Sequence, residues 1–310
     1  MPERFKMGRR AAINAKKRNR RIITISIVVV IIAAVVAVTF LVVNTNTNSP
    51  YVGKAVSSSV LGGLTGVSDS TLSTIGRPSD VTAPASISGS ALTSGGKPEV
   101  IYIGGDYCPY CAVERWSLIV ALSRFGTFTG LEYMQSSSSD VNPSSPTFTF
   151  SSANYTSQYV AFVGVEEFDR SGNLRQALTT SQQGLITQFD TCSSTGQSGG
   201  IPFVDIYNAY AVTCGAQSTL DLSGQNWTQI ASVLDTPTSQ TAQLIDGAAN
   251  TLITAICKID GGQPTSVCTQ SYATVTLSYV AAAGQTGQQS LALVSQVNEE
   301  ARWTSSASRL

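Results

Sequence analysis

The chain has 310 residues, 42% of them hydrophobic and only 12% charged, with 19 basic and 19 acidic side chains and no histidine. So little charge excludes a self-repelling disordered chain and a nucleic-acid binder. The missing imidazole excludes Ser-His-Asp and Cys-His catalysis and His-ligated zinc or haem, leaving Cys, Asp/Glu, Tyr and Lys for any chemistry.

The neutral total conceals a segregation. Residues 1–21 hold nine of the 19 bases and one acid, a net +8, so the remainder carries −8. Ile22 to Val43 follows without a single charge. At about 1.5 Å per residue such a helix spans a hydrocarbon core of about 30 Å. The run is longer than the apolar region of a cleavable signal peptide and lacks a small-residue cleavage site at its end. An uncleaved anchor over 22–43 is therefore expected. The positive-inside rule sets 1–21 as a basic cytoplasmic tail against anionic lipid and everything after Asn44 outside the cell membrane.

Residues 44–98 are rich in Ser, Thr, Gly, Asn and Pro and read as a stalk. Within it, Val56, Val60, Leu61, Leu64, Val67, Leu72 and Ile75 have the spacing of a short helix and turn docked on a domain, so 56–76 is expected to be partly ordered. Pro98–Ile103 is a β-branched apolar run closed by Gly104-Gly105, a buried strand. After Cys108-Pro109-Tyr110-Cys111, apolar residues at helical spacing (Ala112, Val113, Trp116, Ile119, Val120, Leu122) predict a helix to about Phe125. Trp116 is assigned to packing and Arg115 to the surface of that helix. Further strands are expected at Leu131–Gln135, Tyr159–Val165 and Ile201–Tyr207, with a polar loop over Ser136–Pro146. Helices are expected at Leu178–Phe189, Trp227–Leu234 and Ser239–Cys257, an apolar segment after Cys268, and a tail over 286–310. Alternating strands and helices predict an α/β fold with a central sheet flanked by helices.

The six cysteines stand at 108, 111, 192, 214, 257 and 268. Outside the membrane they can all pair. Spacing favours 108–111, 192–214 and 257–268, though fifteen connectivities are open. Cys192, Cys214, Cys257 and Cys268 read as structural staples. A Cys-x-x-Cys between a strand and a helix is a redox arrangement. With Cys108 at the N-cap and Pro109 in the first turn, free N–H groups and the helix dipole favour a thiolate at Cys108. Cys111, one turn inside, is expected to be buried and protonated, ready to resolve a mixed disulfide. The competing readings are half a zinc site, for which no second half exists, and an inert bridge. Asp106, Glu114 and Asp205 are the nearest acids, and Asp205 is the candidate proton acceptor for Cys111.

Gly199-Gly200-Ile201-Pro202-Phe203-Val204-Asp205 sets a proline at the entrance of a strand. Together with the strand–Cys-x-x-Cys–helix unit, this resembles the thioredoxin-like superfamily, in which an Ile- or Thr-cis-Pro turn borders the cysteines. The stretch Tyr102–Trp116 with Ala121–Gly126, Pro146–Phe150, Ile201–Asp205 and Ala248-Ala249-Asn250 resembles more specifically the family catalogued as domain of unknown function 929. The resemblance implies a thioredoxin-like domain over 99–285, with an insertion and an N-terminal transmembrane helix. It places Pro202 beside the sulfurs and lets the Ile201 backbone pair with an incoming peptide. Tyr107, Pro109 and Tyr110 complete the expected substrate contacts. The expected function is a membrane-tethered extracytoplasmic thiol–disulfide oxidoreductase. It would act on protein thiols or disulfides without cofactor or metal, and a membrane redox partner would recycle it. The alternative is a non-catalytic thioredoxin-like scaffold with three structural disulfides.

Overall fold

The computed structural model describes residues 49–191, 199–215 and 220–277. The basic tail at 1–21, the anchor at 22–43, Cys192 and the tail at 286–310 lie outside them. Among the described residues no helix is long and apolar enough to cross a membrane.

Two short helices come first, α1 (Ser58–Thr65) and α2 (Asp69–Ile75), each begun by a serine, Ser57 and Ser68, whose hydroxyl accepts a first-turn N–H. Strands β1 (Ala85–Ser86), β2 (Thr93–Ser94) and β3 (Lys97–Gly105) lead into helix α3 (Pro109–Leu122). An insertion follows, with β4 (Gly126–Thr129), β5 (Glu132–Gln135), β6 (Pro146–Thr149) and β7 (Asn154–Ser157). Strand β8 (Ala161–Phe168), helix α4 (Thr180–Phe189) and the hairpin β9 (Phe203–Ile206) and β10 (Tyr210–Thr213) come next. The described chain ends with α5 (Trp227–Val233), α6 (Gln240–Ile259), α7 (Thr265–Cys268) and a 3-10 turn at Ser271–Thr274.

Strand β3 is the axis of a mixed sheet. It pairs in parallel with β8, from Glu99 against Ala161 onward, and antiparallel with β9, Ile103 against Phe203. Strand β10 pairs with β9, β1 with β10, and β2 with the start of β3. Side chains alternate across this sheet. Val100, Tyr102, Val204 and Ile206 join the large core with α3 and α6, whereas Ile101, Ile103, Val165 and Phe203 pack with Leu185, Ile186 and Phe189 of α4. The result is three layers, with the predicted α/β class and central sheet.

Several expectations need correction. The stalk does not extend to residue 98. Gly53 donates to the Tyr133 carbonyl (2.9 Å), Val56 to that of Leu131 (3.0 Å), and β1 and β2 are sheet strands. The compact unit starts at Pro50. Asn250 Nδ2 on α6 donates to the carbonyls of Leu72 (2.9 Å) and Gly76 (2.7 Å), satisfying the end of α2. Leu131–Gln135 forms part of a separate two-stranded ladder, β5 with β6, while β4 pairs with β7. Strand β10 was not expected. Its turn puts Tyr207 and Asn208 at φ 64° and 55° under an Ala209 N–H to Ile206 carbonyl bond (3.0 Å), a type I′ geometry without the usual glycine. Cys257 and Cys268 are bridged across 11 residues, a closure that contributes roughly 2–4 kcal/mol.

Candidate functional site: a dithiol at a helix N-terminus

Strand β3 delivers the chain to Gly105, and Asp106-Tyr107 turns it into α3. Cys108 is the N-cap residue in extended conformation, and its Sγ accepts the Cys111 N–H at 3.3 Å. Pro109 opens the helix where an N–H would have no intrahelical partner. Cys108 and Cys111 are free thiols, so the pair that spacing joined stands here as a dithiol. Cys108 is only 4% accessible, against 0% for Cys111. It is covered because Ile201 lies against it: the Cys108 Sγ sits 3.6 Å from the Ile201 carbonyl.

The two sulfurs differ in acidity. Hydrogen bonding from Cys111, first its thiol and then its backbone N–H, outweighs burial and holds the Cys108 thiol below its ordinary range; Arg115 adds to this. Burial, then the Cys108 sulfur, push the Cys111 thiol well above that range. An acidic capping thiol and a protonated inner one are what an attacking and a resolving cysteine need.

The structure brings most of the predicted residues together. The Ile201–Pro202 bond is cis. A side chain at Gly105 would meet the Tyr107 ring at 3.0 Å and Ile201 Cδ1 at 3.4 Å. One at Gly215 would meet Pro202 Cγ at 3.4 Å and Tyr110 Cβ at 3.8 Å. Tyr107, Tyr110, Ile201 and Pro202 therefore frame the dithiol, and Tyr110 is the exposed member at 38%. Pro109 is buried. Cys214 is disulfide-bonded.

Asp205 does not reach the site. It shares its strand face with Phe203, towards α4, whereas α3 lies across the sheet. It pairs with Ile101, midway along β3, and its Oδ1 accepts the Asn208 N–H at 2.7 Å. Its work is to brace the hairpin turn. Burial raises its carboxyl to about 6. A folded pKa above the unfolded one makes the native state bind the extra proton, so the contribution of Asp205 to stability is full below about pH 4 and is lost as pH rises through about 6. Asp205→Asn keeps the turn acceptor without the charge. It is expected to raise stability by about 2 kcal/mol at pH 7 and not at pH 4, as read by urea unfolding at both values.

Arg115 is the second correction. It is fully buried rather than on the surface. Its Nε and one terminal nitrogen grip Glu166 of β8 at 2.8 and 2.6 Å, and that terminal nitrogen also donates to the Gly105 carbonyl at 2.8 Å. Asp106 lies 3.8 Å from Arg115 and 3.0 Å from Arg175. Sequence reasoning ended the strand at Val165 and so missed Glu166. The signal was available: a glutamate continuing a central apolar strand needs a buried cation.

The model of the family described as a domain of unknown function (DUF929) matches residues 83–258, more than half of the chain and all of this site. No curated protein and no solved structure matches the chain.

Proposed function

The chain belongs to the DUF929 family, and from that premise we propose that it is a thiol–disulfide oxidoreductase of thioredoxin-like build, working through Cys108 and Cys111. The observation that carries this reading is the Cys108 sulfur, capping α3 at 3.3 Å from the Cys111 N–H and more acidic than an ordinary thiol. What supports the thioredoxin-like part is the strand order β8-β3-β9-β10, with β8 parallel and β9 antiparallel to the strand that precedes the dithiol, and α3 and α6 packed on one face.

In the reducing direction, the Cys108 thiolate attacks one sulfur of a substrate disulfide. A Cys108–substrate bond forms, and the substrate S–S bond breaks with its electron pair on the departing sulfur. Cys111 then gives up its proton, bonds to Cys108 Sγ and expels the second substrate thiol. The substrate gains two electrons and the dithiol loses two. The oxidising direction reverses each step. Protein thiols or disulfides are the proposed substrates, with the Ile201 backbone as an edge for an extended peptide.

The test is reduction of insulin by dithiothreitol with and without the protein. Faster precipitation of the insulin B chain is expected, and no acceleration overturns the reading in favour of a scaffold. The second part of the proposal concerns location: residues 22–43 anchor the domain outside the cell membrane, where lipid holds the anchor and a membrane redox partner recycles the dithiol. The full-length chain is expected to sediment with membranes and to lose its domain to protease added outside intact cells. Recovery as a soluble chain beginning near residue 45 would contradict the tether.

A further inference from the structure

We propose that Arg115 is a positioning residue for the dithiol, holding a buried positive charge against which Cys111 gives up its proton when a mixed disulfide is resolved. The inference deepens the oxidoreductase reading and rests on it. Arg115 lies four residues beyond Cys111 on α3, on the same helical face. It is locked from below by the two contacts to Glu166, at 2.8 and 2.6 Å, and by the Gly105 carbonyl at 2.8 Å.

A buried ion pair does little for stability by itself, since apolar residues of equal volume serve as well or better. What this pair offers is orientation. Arg115 favours the thiolate at both cysteines. Every element packed around it contributes a group. The helix gives Cys108, Cys111 and the buried Glu114; β3 gives Tyr102, whose ring lies 5.6 Å from the guanidinium carbon. The turn after β3 gives Asp106 and Tyr107, and β8 gives Glu166. Arg175 pairs with Asp106 at 3.0 Å, and Asp106 also lies 3.8 Å from Arg115.

In the resolving step, the Cys111 proton passes to the departing substrate sulfur as Cys111 Sγ bonds to Cys108 Sγ. The Cys108–substrate bond breaks with its electron pair on the substrate. The charge that passes through Cys111 is the one Arg115 faces.

The probe is 5,5′-dithiobis(2-nitrobenzoate), whose two released thionitrobenzoates report attack by Cys108 and then resolution by Cys111. Arg115→Met/Glu166→Gln removes both charges and keeps an acceptor for the Phe150 N–H, which Glu166 Oε1 holds at 3.1 Å. In this double variant the second release is expected to slow at least about tenfold at pH 7, one unit of thiol pKa, and to recover at higher pH. Glu166→Gln alone leaves the cation uncompensated and is expected to move the same pH profile downward. A merely structural role does not move the profile in opposite directions. A folded double variant with the parental profile, or with equal slowing at every pH, overturns the proposal. If the double variant does not fold, the absence of a downward shift in Glu166→Gln overturns it alone. A parent chain that never gives the second release would instead overturn the oxidoreductase reading.

Discussion

Replacing Cys111 by Ala will give a protein that accumulates mixed disulfides with its substrates, seen as reductant-sensitive bands on a gel, whereas Cys108→Ala will give almost none. The asymmetry follows from position. Cys108 caps the helix and is the more acidic thiol, while Cys111 is wholly buried and held in its protonated form. The thiolate is the nucleophile, so removing Cys108 removes attack altogether. Removing Cys111 spares attack and stops release, and the first covalent intermediate persists. Equal trapping by both variants, or trapping by Cys108→Ala alone, would reverse the roles. Trapping by neither would favour the scaffold.

The second large effect is on stability. Trp116 is completely buried on α3, its ring centroid 4.6 Å from that of Phe148 and its Nε1 donating to the Pro146 carbonyl at 2.9 Å. Among the described residues β6 pairs only with β5, so the outward-facing Pro146 carbonyl needs a side-chain partner. Trp227 Nε1 donates to the carbonyl of the neighbouring Thr147. Trp116→Ala is expected to cost about 3–5 kcal/mol from the cavity, a large share of a typical domain's stability of about 5–15 kcal/mol. Trp116→Phe fills most of the space but orphans the Pro146 carbonyl, costing about 1–3 kcal/mol. Denaturant midpoints should therefore fall in the order parent, Phe, Ala. Indistinguishable midpoints for Phe and Ala would mean that the indole N–H, and not the ring volume, is what counts.

What was legible in the sequence had a local cause. Strand β3 announced itself as a β-branched run ended by two glycines, and α3 by a proline one residue after its cap. The helices expected at Trp227–Leu234 and Ser239–Cys257 form as α5 and α6, and Asn226 and Ser239 supply the caps that start them. What was not legible depended on residues far apart. The Arg115–Glu166 pair joins positions 51 residues apart, so Arg115 read alone as a surface charge and Glu166 was not singled out. Strand β10 was hidden because its turn uses Tyr207-Asn208, a pair without the glycine that marks such turns. The two-residue strands β1 and β2 are too short for any alternation and exist because β10 and β3 offer them free edges. Asp205 was misassigned for a reason of the same kind: its place three residues beyond Pro202 was visible, but the face it occupies depends on the register of β9 against β3.

The central claim is that Cys108 and Cys111 form a working redox couple, and its reduction potential tests that most directly. Equilibration of the purified domain against glutathione buffers, read by alkylation of the free thiols, is expected to give a single two-electron transition above about −300 mV, where exchange with protein disulfides proceeds. A transition below about −300 mV with no exchange, or a pair that never closes to a disulfide, would contradict the account and leave the dithiol a structural element.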